Sequence, residues 1–255
     1  LIKALNNAAS GIVAGQKNVD TIANNIANIN TTGYKKSRAD FKDAVYSALI
    51  NPENPQSAVN LQQGSGVLIS SISKLFSAGT FIETDNPLDF SLTDDGFFAV
   101  ENDEGEVLYT RDGSFKISQY EGEQYLVNQQ GYYVLDDNMQ RITVYGDIDN
   151  MKADSEGYIT FENDSEPMFK IGVYDFANKS GLEAVGGNAF SETDASGQAF
   201  SVNAPIVKQK SLEGSNVDIA DEMTNLIKAQ RAYQIAARAI STADEMEALA
   251  NNLRS

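Results

Sequence analysis

Between residues 5 and 29, apolar or small residues recur at Leu5, Ala8, Ile12, Gly15, Val19, Ile22, Ile26 and Ile29. The steps alternate three and four, the spacing that lines side chains along one stripe of an α-helix. Asn24, Asn25 and Asn28 fall to the opposite side in this reading, and Thr31-Thr32-Gly33 supplies a stop. A second stripe runs through Ile219, Met223, Leu226, Ala229, Tyr233, Ala236, Ile240, Ala243, Met246, Ala250 and Leu253. No Gly or Pro interrupts it, Asp218 is placed to cap its start, and Asp221 lies near the positive end of its dipole. Such a helix extends ~50 Å at ~1.5 Å per residue. Both stripes are rich in Ala and modest in Leu, so neither helix is expected to be stable alone. Two kinds of partner are open: the other helix of the same molecule, or neighbouring copies.

From about Gly66 to Gly197 the period shortens. Thr80–Glu83, Asp89–Thr93, Phe97–Glu101, Val107–Thr110, Ser114–Ser118, Gln124–Asn128, Tyr132–Leu135, Ile142–Tyr145, Tyr158–Phe161 and Phe169–Phe176 alternate or run apolar. Asp95-Gly96, Glu104-Gly105, Asp112-Gly113, Glu121-Gly122, Gln130-Gly131 and Glu156-Gly157 separate them and read as hairpin turns. The fold class is therefore a mainly β central domain of meanders and hairpins. It is flanked by N- and C-terminal helices that pair in a coiled-coil-like terminal domain. The expected division is 1–34 with 213–255 for the helices, 35–65 for an arm, and 66–212 for the β domain. Within the arm, Asn51–Gly66 is Pro-interrupted and linker-like, whereas Asp40–Ile50 has helical character of its own.

Charge sharpens this division. Residues 1–40 carry five basic and two acidic side chains, 213–255 four and seven, and the middle ten and 27, so the middle holds the whole excess of −17. The ends are nearly balanced and opposite in sign, as expected of segments that lie against each other or against copies of themselves. So acidic a chain is a poor partner for nucleic acid. No apolar run approaches the ~20 residues of a membrane span, so membrane insertion is not expected. The first residues, from Leu1 rather than Met, are too polar for a cleaved secretory signal, so any export is expected to use another route.

The 255 residues contain no His and no Cys, which removes disulfides, thiolate chemistry, Ser-His-Asp machinery and the commonest metal ligands. Paired carboxylates remain at Asp94-Asp95, Asp136-Asp137 and Asp147-Ile148-Asp149. The nearest calcium-loop pattern, Lys152–Asn163, has Gly157 in place but Lys152 where the first ligand belongs, between strands rather than helices. Arg111-Asp112-Gly113 reads as a hairpin turn. No catalytic, cofactor-binding or metal site is expected.

Several blocks carry a family resemblance. Ala23–Lys35 (ANNIANINTTGYK) resembles the N-terminal signature of flagellar rod and hook proteins, and Ser215–Met246, with its QRAY and STADEM blocks, resembles their C-terminal one. Gly64–Val67 (GSGV), Asp95–Val100 (DGFFAV) and Tyr109–Phe115 (YTRDGSF) are similar to the β-domain blocks between them. The resemblance implies a subunit exported unfolded through the flagellar type III apparatus to the periplasm. There it polymerises with itself and with other axial flagellar proteins (proximal rod and hook) into a hollow drive shaft. Its terminal helices would form the inner tube and the β domain would face outward. Under that reading Ile12, Val19, Ile22, Ile26, Leu226, Tyr233 and Ile240 carry helix packing. Asn24, Asn25, Asn28 and Gln230 make polar contacts between subunits or line a wet channel. The alternatives are another rod- or hook-type axial subunit, a secreted acidic β protein whose carboxylates do chemistry or bind calcium, or a chaperone-like or adhesive module whose helices form a simple dimer.

Overall fold

The computed structural model describes residues 2–48, 62–120, 122–145, 151–161 and 169–252. It divides into two compact units, each of which gathers distant parts of the chain. The helical unit comprises 1–27, 37–74 and 218–255; the β unit comprises 28–36 and 75–217.

In the helical unit, α1 (Ile2–Ala27) pairs with α2 (Ile219–Asn252). The pair is antiparallel: Gly15 lies against Tyr233 and Gly11 against Ala236. Small residues at these crossings permit the close approach. Asp218 caps α2, its Oδ1 accepting from the N–H groups of Ala220 (2.8 Å) and Asp221 (3.1 Å). α1 ends at Ala27, before Ile29, and Thr31-Thr32-Gly33 lies beyond it in the β unit. The expected helical character of Asp40–Ile50 is overturned across its described part. Ser37–Asp43 is a strand paired antiparallel with Val67–Lys74, and Ser47-Ala48 pairs with Gln62-Gln63. A short segment with mixed propensity takes the conformation its partner offers. Of the arm, residues 49–61 lie outside the described residues.

The β unit is built on a nine-stranded antiparallel sheet, joined by shorter two- and three-stranded pieces. Phe97–Val100 (FFAV) is buried at all four positions. Alternate side chains belong to different cores: Phe98 and Val100 join Phe90, Phe115, Leu126 and Ile171, whereas Phe97 and Ala99 join Tyr109, Tyr174, Phe176 and Phe190. A strand covered on both faces needs such a run of apolar residues. Edge-to-face rings consolidate the second core, as with Tyr109–Phe176 at 4.8 Å.

Glu104-Gly105, Gln130-Gly131 and Glu156-Gly157 do lie between paired strands, and so does Gly122; Glu121 is outside the described residues. Asp95-Gly96 and Asp112-Gly113 do not form hairpins. The strand Phe90–Leu92 pairs with the distant Val207–Gln209, and Val107–Thr110 pairs with Phe97–Glu101 and Ala189–Ser191. Gly113 is there for space, since a Cβ would lie 1.9 Å from the Phe90 carbonyl oxygen. The expected strand Ile142–Tyr145 survives only as isolated bridges at Arg141 and Thr143, although Ile142 and Val144 are buried.

Candidate functional site: a helix pair and a buried charge clamp

Of the residues assigned to helix packing, Ile22 is buried, and Ile12, Val19, Ile26, Leu226, Tyr233 and Ile240 are half-buried. The two stripes thus find their first cover in one another. α2 also carries exposed apolar residues away from that seam. Ile219, Met223, Ile227, Ile235, Met246 and Leu249 are all exposed, including three members of the predicted stripe. On α1, Val13 is exposed as well.

The asparagines separate. Asn24 and Gln230 are exposed, and Asn28 is half-buried beyond the end of α1. Asn25 is buried, against the expectation that placed it opposite the stripe. Its Oδ1 accepts from the Ser37 N–H at 2.9 Å, while its Nδ2 donates to the Ser37 carbonyl at 2.8 Å and to Glu222 Oε2 at 3.1 Å. The amide pairs with a backbone as another strand would, and it meets a buried carboxylate on α2. Slipping the helices by a turn would take this amide from the buried carboxylate, so the contact penalises wrong registers.

Sequence reasoning missed the polar centre of the β unit. Lys35, Arg111 and Glu213 are each almost wholly buried, though 178 positions separate the first from the last. Lys35 Nζ donates to Glu213 Oε1 at 2.6 Å and to the Ser77 carbonyl at 2.8 Å. Arg111 meets Glu213 Oε2 at 3.3 Å and packs over the Phe97 ring at 5.5 Å. The Gly79 N–H donates to Glu213 Oε1, and the Gly33 N–H to the Glu213 carbonyl. Burial holds the Lys35 ammonium below its ordinary range, against the pull of Glu213. At the rim, Lys179 bonds Asp95 at 2.7 Å and holds that carboxyl below the usual range. Burial pushes Asp112 the other way, despite its hydrogen bond from Thr32.

Asn216 extends the clamp. The Lys36 N–H donates to its Oδ1 at 2.7 Å, and its Nδ2 donates to the carbonyls of Leu75 (2.8 Å) and Ser77 (3.1 Å). Lys36, Leu75 and Val217 are three of the four points where the chain leaves this unit, and Asn28 is the fourth. Glu213 and Asn216 therefore gather the connections that lead to the helices. The signal was faint: a KK pair after a helix stop and a lone Glu before the next helix. Only the folded chain brings them within reach.

Among the described residues no cluster of three or more Asp and Glu is arranged to hold a metal ion, and no helix is long and apolar enough to cross a membrane. Packing faces and a charge clamp define a structural subunit. Comparison with known proteins specifies the kind. Residues 5–35 match the family described as flagella basal body rod protein, 92–161 the flagellar hook protein FlgE/F/G D1 domain, and 208–253 the flagellar basal body rod FlgEFG protein C-terminal. The chain is 40% identical over 269 residues to the flagellar basal-body rod protein FlgG of Borreliella burgdorferi, covering 100% of this chain and 99% of that one. It is 36% identical over 270 residues to the protein of that name in Caulobacter vibrioides, covering 100% of both. The Agrobacterium fabrum protein is 37% identical over 264 residues, covering 97% and 98%. The chain belongs to the flagellar basal-body rod protein family, and its place is that of a structural subunit of the rod.

Proposed function

We propose that this chain builds the distal part of the flagellar rod. Copies polymerise through the helical unit into a hollow shaft that carries torque toward the hook, because closely packed interiors deform little. Full-length similarity to FlgG proteins carries this reading, since it spans both terminal signatures and the β region between them. The exposed apolar residues of α2 support it, because apolar side chains left open in one chain can be covered by the next. Ile12, Val19, Ile22, Ile26, Leu226, Tyr233 and Ile240 hold the helix pair that presents these side chains. Asn24 and Gln230 lie on the surface, where they make polar contacts with neighbouring copies or line a wet channel.

The partners are other copies, the proximal rod, the hook, and the type III apparatus that exports the chain. The chain acts mechanically, with no catalytic step. Basal bodies from cells lacking it provide the test. Electron micrographs are expected to show truncated rods without hooks, and full-length rods bearing hooks would overturn the assignment.

A further inference from the structure

Two surfaces of the helical unit lack cover among the described residues. One is a groove between α1 and the strand Val67–Lys74, formed by adjoining cavities of about 420 and 410 Å³. Its α1 side includes the small residues Ala9, Ser10 and Ala14. Its apolar borders are exposed: Val13 at 59%, Leu68 at 49% and Ile72 at 54%. Lys17 borders both cavities. From Ala9 to Asn24 the groove follows ~22 Å of helix at ~1.5 Å per residue, room for about four turns.

The other surface is the end of α2, Ser241–Asn252. Met246 and Leu249 are exposed at 53% and 63%, and at i,i+3 spacing they stand side by side. Glu245 shares their side, one turn before Leu249, Asp244 and Glu247 lie in the same turns on other sides, and no basic residue occurs in this stretch. Neither Lys17 nor any of these carboxylates takes part in an ion pair among the described residues.

We propose that the groove receives the acidic last turns of α2 from a second copy. Met246 and Leu249 enter between Val13, Leu68 and Ile72, and Lys17 meets the carboxylates. The inference rests on the rod reading and names one contact within it. A helix seated in a groove by a pair of apolar anchors and a charged rim is a recurring mode of recognition. The chain's own α2 cannot make this contact. Gly15 lies against Tyr233 in an antiparallel pair. Lys17 is thus level with about residue 231, and Asp244 lies roughly 20 Å further along the helix. Groove and insert are different surfaces of one chain, so the contact repeats from copy to copy without closing on itself.

Zero-length carbodiimide coupling of the wild-type chain in isolated basal bodies, read by peptide mass spectrometry, tests this. Links from Lys17 to Asp244, Glu245 or Glu247 are expected, and the distance within one chain makes them intermolecular. Lys17→Glu, an exposed change, is expected to lower the assembled chain about tenfold by placing like charges together. The double variant Lys17→Glu, Glu245→Lys is expected to recover part of the loss. Rods that contain the chain and yield other carbodiimide links, but none from Lys17 to these carboxylates, would overturn the proposal. So would wild-type assembly of Lys17→Glu, or coupling of Lys17 to a different protein. Rods that lack the chain altogether would overturn the rod reading itself.

Discussion

Glu213 shows how much one carboxylate can organise. It pairs with both Lys35 and Arg111 where all three side chains are almost wholly buried, and its backbone receives Gly33. A Gln at this position keeps the shape, strips Lys35 of its buried counter-charge and leaves Arg111 only Asp95, at 3.7 Å. Glu213→Gln is therefore expected to destabilise the β unit by about 3–5 kcal/mol, measured by urea unfolding of the full chain. Replacing Lys35, Arg111 and Glu213 together by Met, Met and Leu should be milder than that single change. A triple variant less stable than Glu213→Gln would show that the clamp is net stabilising rather than mainly a specifier of structure. A gentler effect belongs to Glu101, which accepts a fork from Arg141 at 2.8 and 2.9 Å. That hydrogen bonding holds its carboxyl below the ordinary 4.5. On acidification the unfolded chain takes up the proton first. The stabilisation is thus complete above the unfolded value and disappears as pH falls through the folded one. The Arg141 end is partly exposed, so Glu101→Gln should remove only about 0.5–1 kcal/mol at pH 7 and less than that at pH 3. An equal effect at both pH values would refute the assignment.

At the scale of elements, glycines divide by what surrounds them. In α1, a Cβ on Gly15 would lie 3.7 Å from Tyr233 and one on Gly11 would lie 3.8 Å from Ala236, both ordinary contacts. Alanine restores helix propensity there, so Gly11→Ala and Gly15→Ala should each be neutral or stabilise the helical unit by up to ~1 kcal/mol. Thermal melts followed at 222 nm would record this, and a lowered midpoint would show that the seam is tighter than the contacts indicate. Gly33 is the opposite case. Its φ is +66° and a Cβ would stand 2.5 Å from the Asp112 nitrogen, which cannot retreat without moving the strand behind it. Gly33→Ala should destabilise by about 2 kcal/mol or more, and unchanged stability would contradict the described backbone.

For the whole molecule, the helices serve twice: one face of α2 closes the seam with α1, and apolar residues away from it stay open. Leu226 is half-buried on the seam side, so Leu226→Asp is expected to loosen the pair and abolish assembly while the β unit keeps its own cores. Light scattering at rising concentration reads the first effect and the β circular dichroism signal the second. Loss of that β signal would show the units to be one cooperative body.

Heptad spacing, the Asp218 cap and the absence of helix breakers were enough to place α2, because a long periodic helix is a local property of the chain. Doubly buried strands such as Phe97–Glu101 were legible for the same reason. The exclusion of histidine and cysteine chemistry needed only the composition. Tertiary structure alone decided that the stripes meet each other first, that Asn25 turns inward to Ser37 and Glu222, and that Asp40 lies in a strand. It alone brought Lys35, Arg111 and Glu213 together. Each of these depends on partners far away in the chain, and a buried charge is tolerable only where the fold supplies its counter-charge. No periodicity of side chains carries that information.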